Sequence, residues 1–270
     1  MPYATSFDGT RLFYETMGDG EPLLLVSGQG GDRHEWDPVR SDFAAAHRVI
    51  AWDHRGTGQS DKPEEPPYTI ETFARDGLAV LDALGIARAH VYGVSMGGRI
   101  CQRLAIDHRE RVGAVILGCT TPGNRMGIQR PADVDKAMAN RPADPEAAFR
   151  LFARAMVSEA FLEQNPWYAE RMRERQRHPI PPFAQKLHYG ASEGHDAWDG
   201  LPAITSPVLV IHGDNDQVNP TANAPLLAGR IPGAELHLVR GGRHGYLVEF
   251  RDEASRVVLD FIARHPLGPA

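Results

Sequence analysis

The chain has 270 residues, of which 42% are hydrophobic and 24% are charged, and its formal net charge is −6 at neutral pH. This length accommodates one large core, or one domain with an insertion, and the acidic balance gives no reason to expect nucleic acid or an anionic membrane as a partner. The two cysteines lie in apolar stretches, the N-terminus lacks a signal-peptide pattern and no apolar run is long enough to span a membrane, so we expect free thiols and a cytoplasmic protein.

The first part of the chain, residues 1–122, alternates predicted strands with predicted helices. An Asp-Gly turn within Ser6–Glu15 predicts a β-hairpin. Continuous apolar runs, typical of strands buried on both faces of a parallel sheet, lie at Pro22–Ser27, Arg48–Trp52, His90–Gly93 and Val112–Cys119. Helices are predicted over Trp36–Ala46, over Thr69–Leu84 and from about Arg99 to Ile106. This alternation predicts a mostly parallel α/β sheet flanked by helices.

The middle of the chain, residues 123–202, lacks buried-strand runs. Its apolar residues recur at helical spacing over Asp144–Gln164, and a second helix with many arginines and glutamates is predicted over Trp167–Arg177. A helical block of this length between strands of one sheet indicates an inserted helical cap rather than a linker.

The sheet pattern resumes after the cap, in residues 203–270. Strands are predicted at Pro207–His212 and Ala234–Val239, and a closing helix at Glu253–Ala263. We therefore expect one α/β core made of two segments, 1–122 and 203–270, with the cap of residues 123–202 inserted between them.

The pattern Gly93-Val94-Ser95-Met96-Gly97 joins a predicted strand to a predicted helix. In that context it predicts a nucleophile elbow, a very tight turn that exposes the serine side chain. Residues two before and two after such a serine must lack side chains, and Gly93 and Gly97 meet that requirement. Ser95 is therefore the predicted nucleophile.

A serine nucleophile needs a base that takes its proton and a third group that orients the base. We favour His244 as the base, because it lies in a glycine-rich loop just after the last predicted strand, at the sheet edge shared with the elbow. His34, on the loop after the first buried strand, stays an alternative. Three further histidines lie in the cap, where they could contact a substrate: His178, His188 and His195.

The orienting acid should follow the strand Pro207–His212, where two aspartates are available. Asp214 stands at the strand end and could serve only the turn. Asp216 lies further out, where its carboxylate could reach a neighbouring loop, and we favour it. The chain order Ser95, Asp216, His244 matches the order known for triads on this kind of sheet.

Two converging N–H groups are needed to stabilise a negatively charged oxygen during acyl transfer. Met96, directly after the predicted nucleophile, should supply one, and Gln29 in the glycine-rich loop Ser27–Gly31 should supply the other. No group of His, Asp and Glu residues shows metal-ligand spacing, and the glycine loops match neither a dinucleotide nor a P-loop pattern. We therefore expect no metal and no cofactor.

These motifs together resemble the α/β-hydrolase superfamily over essentially the whole chain outside the cap. The matching segments are Ser27-Gly-Gln29, Asp53-His-Arg-Gly-Thr-Gly-Gln-Ser60, Gly93 to Gly98, Gly213-Asp-Asn-Asp216 and Gly242-Arg-His-Gly245. Within the superfamily, the run from Tyr68 to Asp76 and the elbow are similar to 3-oxoadipate enol-lactonases and related small esterases. One departure is Ser27, where the family commonly has histidine.

The resemblance implies a serine hydrolase that cleaves a carboxylic ester or lactone of a small molecule through an acyl-enzyme intermediate. We expect Gly28, Trp167 and Phe183 to contact the substrate, and the protein to act as a monomer or homodimer. A cofactor-free perhydrolase, a carbon–carbon bond hydrolase, a biosynthetic acyltransferase or cyclase, and a ligand-binding protein on the same fold stay open as alternatives. Ser95 argues against haloalkane dehalogenases and epoxide hydrolases, which are known for an aspartate nucleophile.

Overall fold

The computed structural model describes residues 2–65, 67–139, 142–177 and 179–268. Its strands are β1 (Tyr3–Thr5), β2 (Arg11–Met17), β3 (Glu21–Val26), β4 (His47–Trp52), β5 (Ala89–Val94), β6 (Val112–Gly118), β7 (Val208–Gly213) and β8 (Glu235–Val239). Its helices before β6 are α1 (Arg40–Ala44), α2 (Ile70–Ala83) and α3 (Met96–Asp107). The next five are α4 (Ala132–Ala139), α5 (Pro145–Met156), α6 (Glu159–Gln164), α7 (Pro166–Arg177) and α8 (Pro182–Glu193), and the last three are α9 (Asn223–Arg230), α10 (Tyr246–Glu249) and α11 (Arg251–Ala263).

All eight strands form one sheet in the order β1-β2-β4-β3-β5-β6-β7-β8. The β1–β2 and β2–β4 pairs are antiparallel, which confirms the predicted hairpin, and every later pair is parallel. Strands β5, β6 and β7 are buried along their whole length, as continuous apolar runs require. The predicted mostly parallel α/β sheet flanked by helices is confirmed.

The alternation of side chains along each strand divides the core into two layers. Leu24 and Val26 of β3 face the layer that includes α2, α3 and α9. Leu23 and Leu25 face the layer that includes α1 and α11. Because successive residues of a strand point to opposite faces, one apolar strand serves both layers. Because the strands from β3 onward run parallel, their carboxyl ends lie at the same edge of the sheet. The predicted catalytic loops follow those ends.

The predicted helix over Trp36–Ala46 was wrong in its extent. The chain forms a 3₁₀ turn at Arg33–Trp36 and then the short helix α1. Pro38 lies between them, and a proline has no N–H for the helical hydrogen-bond pattern and restricts the residue before it. Burial of Trp36 and Val39 holds the break in place.

The single helix predicted over Asp144–Gln164 is two helices, α5 and α6. The break lies at Val157 and Ser158, where Val157 is extended and buried, and the Ser158 hydroxyl accepts a hydrogen bond from the Phe161 N–H and so caps α6. The backbone N–H and hydroxyl of Ser158 both donate to the Glu249 carboxylate. Helical periodicity continued through this point, so only the long-range contact with Glu249 shows why the helix stops.

Helices α4 to α8 lie between β6 and β7, in the block for which we predicted a cap. We propose the boundaries 123–202 for this unit. Among the helices of the described residues, none combines the length and apolar character needed to span a membrane. Cys101 and Cys119 are buried free thiols, as predicted.

Candidate active site

Ser95 lies on the turn between β5 and α3, with a left-handed φ of +56°. A Cβ added at Gly93 would lie 2.1 Å from the Gly97 carbonyl oxygen. A Cβ added at Gly97 would lie 2.0 Å from the Val26 carbonyl oxygen. Only glycine fits at either position, because real Cβ atoms do not approach other atoms so closely. The strain at Ser95 is offset by its surroundings, which include a hydrogen bond of 2.9 Å from its N–H to the Gly118 carbonyl.

The structure brings Asp216 and His244 together. His244 Nδ1 lies 2.7 Å from Asp216 Oδ2, and both residues are buried. The other carboxylate oxygen accepts hydrogen bonds of 2.8 Å and 3.0 Å from the N–H groups of Val218 and Asn219. Asp216 is therefore held by its own loop while it orients the imidazole. Asp214 instead accepts a hydrogen bond from the Gly241 N–H and serves the turn.

A second histidine, His212, also faces the acid. Its Nε2 lies 3.1 Å from Asp216 Oδ2 and 2.8 Å from the Asn219 carbonyl oxygen. Burial disfavours ionisation of Asp216, but His244 and His212 outweigh it and hold the pKa of this carboxyl well below its usual range. The carboxylate is therefore charged at neutral pH. Its place at the end of a predicted strand gave no sign of this contact with the acid.

The loop that carries His244 rests on the C-terminal end of α5. The His244 N–H donates to the Ala155 carbonyl over 3.4 Å, and the Gly245 N–H donates to the Met156 carbonyl over 2.7 Å. The Arg243 guanidinium donates to the Arg154 carbonyl. These bonds satisfy carbonyl groups that a helix end leaves without partners. The inserted helices thus position the histidine, and His244 Nε2 has no hydrogen-bond partner among the described residues.

Cys119 connects the elbow to the Asp216–His244 pair. It follows β6, adjoins the Ser95 backbone, and its Sγ lies within 4.8 Å of a carboxylate oxygen of Asp216 and a ring nitrogen of His244. Such a trio could in principle hold a metal ion. Burial, followed by the charge of Asp216, raises the pKa of this thiol well above its usual range, so the thiol keeps its proton when no metal is bound.

The loop Ser27–Gly31 is held in place on three sides. The Gly28 N–H donates to Glu35 Oε2 over 2.7 Å, and His54 Nε2 donates to the Ser27 carbonyl over 3.0 Å. The Gly30 N–H donates to Nδ1 of His188 over 3.2 Å. In the described part of the chain, the Gln29 N–H finds no acceptor, and the same holds for the Met96 N–H at the start of α3. These two donors are those predicted to bind an oxyanion.

The loop and the elbow are in direct contact. A Cβ added at Gly97 would lie 2.7 Å from the Ser27 carbonyl oxygen, and one added at Gly28 would lie 3.4 Å from Ser95 Cβ. Gly28 is therefore placed beside the predicted nucleophile, although its N–H is occupied by Glu35.

The two aromatic residues predicted to contact substrate occupy different positions. Trp167 is 52% exposed, its indole N–H donates to Asn165, and its ring contacts the ring of Tyr168. Its neighbour Tyr168 is buried. Phe183 is half-buried on α8. The substrate contacts predicted for Trp167 and Phe183 stay predictions.

The cap histidines have structural environments that the sequence did not reveal. His188 is fully buried, and its Nε2 donates to the Arg55 carbonyl over 2.8 Å while Nδ1 accepts from Gly30. Burial lowers the pKa of His188 to about 3, so the ring is neutral and suited to both bonds. His195 is buried near Gln102, with a pKa that burial lowers to about 3.

His178 lies outside the described residues. His34 is exposed and lies 2.9 Å from Asp37.

Known proteins resemble this chain in sequence and structure. A proposed carbamate hydrolase, RutD, from Variovorax paradoxus strain S110 is 32% identical over 94% of this chain and 96% of its own. A 2-hydroxymuconate semialdehyde hydrolase from Pseudomonas putida is 29% identical over 94% of this chain and 92% of its own. The crystal structure of the enol-lactonase from Burkholderia xenovorans LB400 superimposes with a TM-score of 0.82 at 29% identity, covering 96% of this chain and 99% of that one. Residues 21–250 match the family described by the alpha/beta hydrolase fold, and the chain belongs to the α/β-hydrolase family.

Proposed function

We propose that this hydrolase cleaves a carboxylic ester or lactone of a small molecule through an acyl-enzyme intermediate on Ser95. The observation that carries the proposal is the 2.7 Å hydrogen bond between Asp216 and His244. This pair lies close to the Ser95 elbow, because Cys119 contacts the Ser95 backbone and its Sγ lies within 4.8 Å of both side chains. A buried, ionised carboxylate orients the imidazole and stabilises its protonated form. The same three residue types in this chain order serve acyl transfer on this fold.

In the proposed reaction, Ser95 Oγ attacks the substrate carbonyl carbon while His244 Nε2 accepts the hydroxyl proton. The carbonyl oxygen becomes an oxyanion, which the N–H groups of Gln29 and Met96 bind. The carbon–oxygen bond to the leaving group then breaks, and His244 returns the proton to the departing alkoxide. Water, deprotonated by His244, attacks the acyl-enzyme and releases the acid. Each oxyanion donor of this kind contributes about 3–4 kcal/mol where its removal has been measured.

The similarity to an enol-lactonase supports a lactone or ester substrate. The similarity to 2-hydroxymuconate semialdehyde hydrolase favours carbon–carbon bond hydrolysis as a second candidate, because that reaction class uses the same residue types. By resemblance, the loop Ser27–Gly31 favours the ester or lactone, since carbon–carbon bond hydrolases usually carry a longer loop with a Gly-Pro-Gly element that this loop lacks. We further propose that the protein acts in the cytoplasm as a monomer or homodimer, without a cofactor.

The test is hydrolysis of a panel of short and medium acyl esters, small lactones, a carbamate ester and 2-hydroxymuconate semialdehyde. Ser95→Ala should abolish turnover, while Ser41→Ala, which changes an exposed serine on α1, should not. Mass spectrometry of the protein quenched during ester turnover should show an acyl group on Ser95. Ester turnover that survives Ser95→Ala would overturn the proposal, and Ser95-dependent cleavage of the semialdehyde alone would establish the second candidate.

A further inference from the structure

We propose that Glu35 determines substrate specificity: its carboxylate beside the nucleophile makes the site reject substrates that carry a carboxylate near the reacting carbonyl and accept neutral or cationic ones. Glu35 lies in the 3₁₀ turn Arg33–Trp36, directly after the loop Ser27–Gly31. The proposal rests on hydrolysis at Ser95 and adds the charge of the substrate to it.

The position of the Glu35 carboxylate is set by the glycines of the loop. Glu35 Oε2 accepts the Gly28 N–H over 2.7 Å, and a Cβ added at Gly31 would lie 2.4 Å from the same oxygen. A Cβ added at Gly28 would lie 3.4 Å from both Glu35 Oε1 and Ser95 Cβ. The carboxylate and the nucleophile therefore border the same small space. Glycine at positions 28 and 31 is what allows the carboxylate to come so close.

The charge of Glu35 is not compensated by an ion pair within the described residues. The Arg33 guanidinium forms ion pairs with the carboxylates of Glu15 and Asp53, with N–O distances of 3.0 Å and 2.7 Å. Arg171 lies 3.3 Å from Asp37. Arg175 lies at the exposed end of α7. Because the neighbouring cations are engaged or solvated, the negative charge of Glu35 acts on the site itself, and a half-buried charge is screened less than a fully exposed one.

Two residues on different sides of the site feel this charge. Burial is the main cause that raises the pKa of Tyr168, on α7, to about 12. Among the smaller causes, Arg175 and Arg171 lower this pKa and the charge of Glu35 raises it. Burial and then Asp216 raise the pKa of the Cys119 thiol, and Glu35 adds to that effect. The charge of Glu35 therefore acts on both residues, and a substrate bound in the space beside Ser95 would meet the same negative potential.

The first measurement compares two esters of equal chain length, 4-nitrophenyl pentanoate and mono-4-nitrophenyl glutarate. The native protein should prefer the neutral ester by about tenfold or more in kcat/KM, the scale expected for like charges a few ångströms apart in a partly desolvated site. Glu35→Gln keeps an oxygen that can accept the Gly28 N–H and removes the charge. It should bring the two esters within about threefold, chiefly by improving the glutarate ester.

Glu163→Gln is the matched control, because it removes the same charge from an exposed position on α6. This variant should keep the native preference. The native preference should also shrink as salt is raised, a measurement that does not depend on the folding of any variant. An unchanged preference in Glu35→Gln, or equal use of the two esters by the native protein, would overturn the role of Glu35.

A failure of the proposed function is recognised separately. If neither ester is turned over in a Ser95-dependent way, calorimetry compares pentanoate with pentanamide as ligands of the native protein and of Glu35→Gln. Pentanoate binding that strengthens about tenfold in the variant, with pentanamide binding unchanged, would support the charge selection without catalysis. Equal pentanoate affinity in both proteins, or binding of neither ligand, would overturn it.

Discussion

The Gly30 N–H in the loop Ser27–Gly31 donates to Nδ1 of His188 on helix α8, over 3.2 Å. His188 completes the bridge by donating from Nε2 to the Arg55 carbonyl, over 2.8 Å. A helix of the inserted block therefore holds the loop that carries Gln29. His244 depends on the same block, because the N–H of its neighbour Gly245 donates to the Met156 carbonyl. The inserted helices thus position two parts of the catalytic apparatus that we propose.

Replacing His188 with leucine should lower kcat about tenfold with a smaller effect on KM. The variant leaves the Gly30 N–H without its acceptor, and a buried donor without a partner costs about 1–3 kcal/mol. His188→Asn, whose amide oxygen can take the place of Nδ1, should recover part of the loss. His195→Leu is the control, since that ring is equally buried but contacts Gln102 rather than the loop. Equal loss of kcat in both leucine variants would show a general effect of the inserted helices.

Replacing each of the two aspartates of the loop after β7 with asparagine, in separate variants, should distinguish their roles. Asp216→Asn should lower kcat by about 10⁴, the scale seen when the orienting acid of a triad becomes an amide. Asp214→Asn should stay within a few-fold of the native rate, because the Asp214 carboxylate accepts the Gly241 N–H and has no other hydrogen-bond partner among the residues that the structure describes. Steady-state kinetics on the best ester measures both. A larger effect for Asp214→Asn would reverse the assignment.

Acid should destabilise the protein from about pH 6.5 downward. His188 and His195 each have a pKa lowered from 6.5 to about 3, so they stay neutral in the folded chain and take up protons on unfolding. Their stabilisation is complete above pH 6.5 and is lost as the pH falls toward 3. Between about pH 3 and pH 6.5, each of the two histidines contributes a slope of about 1.4 kcal/mol per pH unit. Urea unfolding between pH 4 and 7 checks this, and a flat profile in that interval would contradict it.

Adding one methyl group at Gly97 should destabilise the fold by about 3 kcal/mol or more, since the new Cβ would overlap the Val26 carbonyl and overpacking strains the backbone. The clash distance is 2.0 Å. Gly190→Ala on α8 is the matched control, because a Cβ there meets nothing within 4 Å. That substitution should stabilise the chain by about 0.5–1 kcal/mol through helix propensity. Thermal unfolding of both variants measures the difference.

Local pattern was enough to predict the sheet and the elbow. Continuous apolar runs correspond to β5, β6 and β7, because a strand that is buried on both faces needs apolar residues at every position rather than at every second one. The elbow followed from two glycines around a serine, a requirement of short-range sterics. The helix predicted over Asp144–Gln164 failed for the opposite reason, since the Ser158–Glu249 contact joins residues that are distant in the chain.

The sequence by itself determined the alternation of strands and helices, the position of Ser95 on a strained turn and the choice of Asp216 and His244 as candidates. These depend on side-chain periodicity and on backbone requirements that a few neighbouring residues express. Only the tertiary structure decided that His188 binds the loop Ser27–Gly31, that His212 contacts the Asp216 carboxylate and that the Glu35 carboxylate lies close to Ser95. Such contacts depend on how separate elements pack in three dimensions. A hydrogen bond or an electrostatic interaction between two such elements does not change the periodicity of apolar residues in either one, so it cannot be predicted from that periodicity.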